Sequence, residues 1–385
     1  MFYWDNAATT FPKPYAVRKA MAQALMQYGA NPGRGGHAMA YATSEAVFRC
    51  RETAAELFGA DSPENVIFTL NCTMAMNMVV KGILANGGNA VISDVEHNAV
   101  VRPLHALSMQ KQVTYTAAPV CFEDPAETVQ QFEKAITAET RLIICSHASN
   151  VFGGIQPIRQ IGAIAREHRI PFVVDAAQSA GVLPIDMARD NIDFLCIAGH
   201  KGLYGPMGTG MLITSGRYPL PSFIEGGTGS RSMDPRQPDD LPDHLESGTP
   251  NTAGICGLYA GMQFVKTVGI QHIHERELVH IGAVYRALQS MQGVQLYTPY
   301  PTETHFVPVL SYNVQGVPSE KTAALLNEAG VAVRAGLHCA PLAHLKMGTQ
   351  SGGTVRLAPC VFTTDEETQR VIKILRQTAQ KALQS

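Results

Sequence analysis

The sequence predicts an α/β fold in which a large domain on a mostly parallel, doubly wound sheet is joined to a smaller α+β domain. Three observations carry this expectation. Short β-branched apolar runs alternate with helical patterns over roughly 150 residues, the signature of repeated strand–helix–strand units. Several of those runs end in polar or glycine-bearing turns, which places a site at the carboxyl edge of the sheet. Beyond about residue 220 the alternation stops and short strands and long amphipathic helices follow.

In chain order, strands are expected over 66–70, 90–93, 141–146, 171–174, 193–197 and 210–214, where Val, Ile and Leu cluster. Helices are expected between them over 73–84, 97–109, 125–138 and 158–168. The segment 219–251 is rich in Pro, Gly, Asp and Ser without periodicity and reads as one long functional loop. Helices follow over 252–268 and 270–292, then strands over 294–297, 306–310, 331–334 and 354–357, with further helices over 319–329 and 364–383. The large domain is expected to span 15–255 and the small one 256–385, joined by 1–14.

The composition narrows the function classes. Of 385 residues, 45% are hydrophobic and 16% charged, which suits a packed enzyme rather than a disordered chain. A formal net charge of −2 gives no basic field to draw nucleic acid or anionic lipid. No window reaches the ~20 apolar residues of a membrane span. The opening residues MFYWDNAATT hold no basic stretch followed by an apolar one, so a cytoplasmic location is expected. The eight cysteines form no C-x-x-C pair, and Cys145 and Cys196 fall inside apolar runs, as buried thiols in a reducing compartment do; no metal cluster is expected.

The stretch 172–205, FVVDAAQSAGVLPIDMARDNIDFLCIAGHKGLYG, concentrates the chemistry. One apolar run ends in Asp175, Gln178 follows, and a second run ends at His200 and Lys201 in a glycine-rich turn. An acid and a lysine leaving adjacent strand ends are the two contacts that pyridoxal 5'-phosphate needs most: an amine for the imine and a carboxylate to keep the ring nitrogen protonated. A carboxylate at a buried strand end would otherwise be a costly bare charge. Gln178 can reach the phenolic oxygen of the same ring.

Other residues keep two readings open. Thr73, opening a helix after a strand, is a phosphate ligand or an N-cap. His97 in DVEHNAV stacks on a ring or caps a helix. Asn150 in SHASNVFGG contacts ring or substrate. Cys339 in RAGLHCAPLAH, with His338 adjacent and Arg334 five residues earlier, is a reactive thiolate or an inert thiol. Arg356 in GGTVRLAP clamps a carboxylate or forms a structural ion pair.

Taken in order, DNAATTFPKP, EHNAV, HASNVFGG, VDAAQSAG, GHKGLYGPMGTG, ESGTPNT and RAGLHCAPLAH resemble the pyridoxal phosphate-dependent class V aminotransferase family. Within it they resemble the SufS-like group II cysteine desulfurases, a branch that also holds selenocysteine lyases. The resemblance runs from Asp5 to about Arg356. It implies a fold-type I transferase, a homodimer with sites at the subunit interface, and a sulfur-acceptor protein. It makes Lys201 the Schiff-base lysine, Asp175 the partner of the ring nitrogen, Gln178 a ligand of the phenolic oxygen and His97 the stacking residue. Thr73 and His200 become phosphate ligands, and Thr249 reaches the phosphate bound by the other subunit. Arg356 holds the substrate carboxylate, with Asn150 near the substrate. Cys339 takes the sulfur of L-cysteine, leaving L-alanine and a persulfide.

Two departures from that family bear on function. Many relatives carry a serine two residues before the His-Lys pair, where this chain has Ala198; Gly226, Gly227, Thr228, Gly229 and Ser230 are expected to supply replacement phosphate contacts. GRGGH, from Gly33 to His37, and RAGLHC differ from the best-known group II wording, which leaves the natural substrate open and makes His37 either a substrate contact or a loop histidine. The alternatives are a selenocysteine lyase acting on L-selenocysteine, a transaminase, epimerase or C–S lyase of the same fold that does not use Cys339, and a cofactor-binding scaffold without turnover.

Overall fold

The computed structural model describes residues 1–33, 36–110 and 112–384. The chain opens with β1 (Phe2–Tyr3), α1 (Tyr15–Gln27) and α2 (Ala38–Phe58). Strand–helix alternation then begins with β2 (Val66–Thr69), α3 (Cys72–Ile83), β3 (Gly88–Ser93), α4 (Asn98–Gln110), β4 (Val113–Ala118) and α5 (Pro125–Ala135). It continues through β5 (Thr140–Ser146), α6 (Ile158–Glu167), β6 (Phe172–Asp175), β7 (Phe194–Ala198) and β8 (Gly210–Thr214). After a long irregular segment come α7 (Thr252–Val268), α8 (Ile270–Gln289), β9 (Val294–Leu296) and β10 (Leu310–Val314). The chain closes with α9 (Ser319–Glu328), β11 (Val331–Ala332), β12 (Arg334–Gly336), α10 (Pro341–Lys346), β13 (Thr354–Leu357) and α11 (Asp365–Leu383).

The central sheet has seven strands in the order β2-β8-β7-β6-β5-β3-β4. β4, β3, β5, β6 and β7 pair in parallel, while β8 runs antiparallel to both β7 and β2. The alternation of side chains sorts each strand between two cores. Ile143, Val174, Leu195 and Ile213 join one core with Cys50, Phe58 and Ile161. Ile144, Val173, Phe194 and Leu212 join the other with Met76, Val79 and Leu104. Helices on both faces therefore cover a sheet whose central strands read as continuous apolar runs. A second, antiparallel sheet of order β12-β13-β10-β9 packs with α8 and α11 around Trp4, Tyr312, Leu357 and Leu375.

The fold class, the mostly parallel sheet and the separate C-terminal α+β layer agree with the sequence. The expected strand over 306–310 does not form. Phe306, Val307 and Val309 are buried, but they lie in an extended segment that bonds Gly153 through the Val307 amide, and the ladder starts at Leu310. Burial produced the apolar run there, and its pairing is limited to an isolated antiparallel bridge between Phe306 and Gly154. The segment 219–251 holds no helix or strand, as expected, and is tied together by side chains such as Gln237, which donates to the Asp243 carbonyl at 2.8 Å.

Candidate active site

The carboxyl ends of β5, β6 and β7 and the start of α3 and α4 border one cleft with about 230 Å³ open to water. Thr73, His97, Asn150, Asp175, Gln178, His200 and Lys201 all line it, together with Asn71, Cys72, Ser146 and Ala198. Seven residues singled out in the sequence thus converge from five separate segments, as the end of a parallel sheet permits.

Lys201 sits just beyond β7 in the turn leading to β8. Gly202 fits this turn because a Cβ there would meet the Ala180 carbonyl oxygen at 2.5 Å. The segment before α1 grips the turn from outside: Thr9 Oγ1, Thr10 Oγ1 and Lys13 Nζ each reach the His200 carbonyl, the last at 2.7 Å. Among the described residues, the Lys201 amine has no hydrogen-bond partner. Burial lowers its pKa, against the opposing pull of Asp175, which favours a neutral, nucleophilic amine. His200 is likewise held neutral, burial and then Lys201 drawing it down to about 4, and its Nδ1 is buried with no partner.

Asp175 ends β6 and is 5% exposed. Its Oδ1 accepts from the Ala177 amide at 2.9 Å and from the Cys72 thiol at 3.4 Å, which leaves Oδ2 for the cleft. Cys72 is the first residue of α3. Burial, and next the Asp175 charge, push its pKa well up, so it stays a thiol and donates. The N-terminus of α3 comes close to β8 only because residue 210 is glycine: a Cβ there would meet the Asn71 carbonyl carbon at 2.6 Å. Asn71 caps the helix through the Met74 amide at 2.9 Å, leaving the Cys72 and Thr73 end facing the cleft.

His97 combines both of its expected readings. Its Nδ1 accepts the Ala99 amide at 3.0 Å and caps α4, while its ring lines the cleft. Burial lowers its pKa, with Asp175 opposing. The preceding Glu96 is fully buried, accepting from Ser93 Oγ at 2.5 Å and from the Ser146 amide and hydroxyl at 2.7 Å each. It ties the end of β3 to the end of β5 and so fixes where His97 emerges. Burial pushes its pKa up to about 7.

Cys339 is exposed, whereas Cys50, Cys72, Cys145, Cys196, Cys256 and Cys360 are buried. Its carbonyl accepts the Asn98 amide at 2.7 Å, which brings its backbone next to the residue that follows His97, although Cys339 itself does not line the cleft. Arg334 Nη2 stands 3.8 Å from its sulfur. The Asn150 amide donates to the His338 carbonyl at 2.8 Å, a contact the sequence did not suggest. Gln178 similarly spends an amide hydrogen on the Ala7 carbonyl at 2.9 Å while lining the cleft.

Arg356 does not border the cleft. It is 2% exposed, with Nη2 on Asp5 Oδ1 and Nη1 on the Asn150 carbonyl, both at 2.8 Å, and its buried Nε has no partner. Thr249 and Thr228 line a different cavity, and Thr249 Oγ1 accepts from Asn31. Thr228 bonds Ser230. His37 is exposed and caps α2, its Nδ1 accepting from Ala40. Arg34 and Gly35 of the GRGGH stretch lie outside the described residues.

Sequence reasoning missed Cys72, Glu96, Asp5 and Lys13. Glu96 was detectable as an acid at the end of an apolar run next to His97. The others gain meaning only from contacts made more than a hundred residues away. Among the described residues no group of three or more potential ligands could hold a metal ion, and no helix is long and apolar enough to cross a membrane.

Comparison with known proteins identifies relatives along nearly the whole chain. A probable cysteine desulfurase of Methanothermobacter thermautotrophicus is 31% identical over 98% of this chain and 94% of its own length. A second, of Halalkalibacterium halodurans, is 31% identical over 98% and 93%. The structure of a cysteine desulfurase of Thermococcus onnurineus superposes with a TM-score of 0.91 at 29% identity, covering 99% of this chain and 95% of that one. One from Escherichia coli gives a TM-score of 0.87 at 26% identity, covering 99% and 95%. The model of the class-V aminotransferase family matches residues 2–371, and the chain belongs to that family.

Proposed function

We propose that the protein is a pyridoxal 5'-phosphate-dependent cysteine desulfurase that converts L-cysteine to L-alanine and leaves the sulfur as a persulfide on Cys339. The observation that carries this reading is an exposed thiol whose backbone carbonyl is bonded to the amide next to His97, a residue lining the lysine-bearing cleft.

The residues of the cleft suit the cofactor. The unpartnered amine of Lys201 and the unpartnered buried Nδ1 of His200 line the same space as Asp175 Oδ2 and the N-terminal end of α3. Lys201 would hold it covalently, Asp175 would face its ring nitrogen, and His97 its ring face. Gln178 and Asn150 would border the ring's edge, and Thr73 and His200 would take the phosphate. Bound there, the cofactor would store the electron pair released at the substrate Cα.

The chain's own groups then divide the work. Lys201, whose pKa burial lowers, takes the proton from Cα and returns it there at the end, while Cβ gains the proton that Cys339 gives up. Arg356 would receive the substrate carboxylate by opening its contact with Asp5. Cys339, as thiolate beside Arg334, attacks the substrate sulfur; the bond from sulfur to Cβ breaks as the sulfur–sulfur bond forms. Thiol plus cysteine gives persulfide plus alanine, so atoms and electrons balance.

The reading extends to a cytoplasmic homodimer and an acceptor protein that takes the persulfide sulfur. Exposed Leu25, Met26, Met39 and Tyr41 near the start of the chain support a second copy there, with Thr249 serving the partner's phosphate. The division into a large domain over 15–255 and a small one over 256–385 with 1–14 is part of the same reading; its boundary falls inside α7. The test is release of alanine and sulfide from L-cysteine with a reductant. Wild type should release them in equal amounts and Cys339→Ala neither; equal turnover by both, or pyruvate with ammonia, overturns the proposal.

A further inference from the structure

The loop bearing Cys339 adopts an unfavourable backbone. His338 and Cys339 are consecutive residues with φ of 45° and 56°, a left-handed region that side chains with a Cβ avoid. Such geometry persists only where surrounding contacts over-determine it. Here the contacts can be named. His338 is 3% exposed, with Nε2 donating to the Thr354 carbonyl at 2.9 Å and its ring stacked on His344. The His338 carbonyl receives the Asn150 amide, and the Cys339 carbonyl receives the Asn98 amide. Asn98 is the first residue of α4, a position with no acceptor inside its own helix, so this bond is the one available to it.

We propose that Asn150 is a latch, a positioning residue whose side-chain amide holds the Cys339 loop in its strained form against the cleft. The same residue receives Arg356 Nη1 on its carbonyl. One asparagine therefore joins the arginine proposed for the substrate carboxylate to the loop proposed to take the sulfur. Asn150 also lines the cleft, so the latch adds to, and does not replace, a contact with the ring or substrate. The catalytic meaning rests on the desulfurase reading; the latch itself does not.

Asn150→Asp separates the two functions of the side chain. It keeps an acceptor oxygen for the cleft, replaces the donor, and sets a carboxylate oxygen against the His338 carbonyl. Asn150→Ala removes both. In the cofactor-loaded protein, hydrogen–deuterium exchange should speed up at the amide of Asn98 in both variants, by roughly 3- to 10-fold for one lost hydrogen bond. The core amides of Val174 and Leu195 should keep their wild-type rates, which shows that the fold is intact. Single-turnover persulfide formation should slow by a similar factor in Asn150→Asp. Unchanged exchange at Asn98 in both variants overturns the latch. If wild type forms no persulfide at all, the desulfurase reading fails, and the exchange result still decides the latch.

Discussion

The thiol of Cys72 donates to Oδ1 of Asp175 across 3.4 Å, joining the first residue of α3 to the acid at the end of β6. With the Ala177 amide on the same oxygen, the carboxylate is fixed and its second oxygen is left to the cleft. Helix and strand come this close because Gly210 lets the Asn71 backbone approach β8. A packing decision at a glycine thereby sets the orientation of a charged group.

Cys72→Ala removes that donor and should weaken pyridoxal phosphate binding by roughly 2- to 10-fold, the worth of one such hydrogen bond. Cys72→Ser restores a donor and should recover most of it. Fluorescence titration of the cofactor-free protein measures both. An alanine variant that binds as tightly as wild type would show that the thiol does not orient Asp175.

Thiol reactivity should divide sharply. Burial pushes Cys72, Cys145 and Cys196 well up, whereas Cys339 is exposed. Iodoacetamide at neutral pH should label Cys339 at least 10-fold faster than those three, read by peptide mass spectrometry.

Asp5→Ala should leave Arg356 buried without its counter-ion. The loss should be about 3 kcal/mol of stability, seen as a lower denaturant midpoint with an unchanged slope. Asp5→Asn, which keeps an acceptor, should lose less.

Acid should destabilise the cofactor-free protein well above the carboxylate range. Burial holds His147, His200 and His344 at about 4 and His338 at about 3. Their ordinary value is about 6.5, so below it the unfolded chain binds four protons that the folded chain refuses. Glu96 and Glu277, pushed by burial to about 7 and about 8, act oppositely: their stabilisation is full below about 4.5 and fades as pH rises through those values. Between about 4.5 and 6.5 these imidazoles, joined by His97, His274 and His280, which burial also lowers, outnumber the raised carboxyls, so stability falls as pH falls. Just above about 6.5 the two carboxyls lose their protons and stability falls as pH rises. Thermal unfolding across this range should peak near pH 6.5.

Much of the site was legible because parallel strands advertise their ends. Lys201, Asp175, His97 and Asn150 each follow an apolar run, and a doubly wound sheet brings such ends to one edge. Less was legible where an element lacks that pattern. β4 is an edge strand of mixed exposure, VTYTAA, with only Val113 and Ala118 buried, and the alternation does not reveal it. α1 and α2 precede the first expected strand and pack through α7, a contact spanning more than two hundred residues. Asp5 and Lys13 belong to a motif visible in the sequence, yet their partners, Arg356 and the His200 carbonyl, could be found only in three dimensions.

The most direct measurement is the mass of the peptide containing Cys339 after the cofactor-loaded protein meets L-cysteine without reductant. The account predicts a gain of one sulfur atom on Cys339, removable by dithiothreitol, with one L-alanine released for each sulfur retained. An unmodified Cys339 alongside continuing alanine formation, or sulfur found on another cysteine, would contradict it.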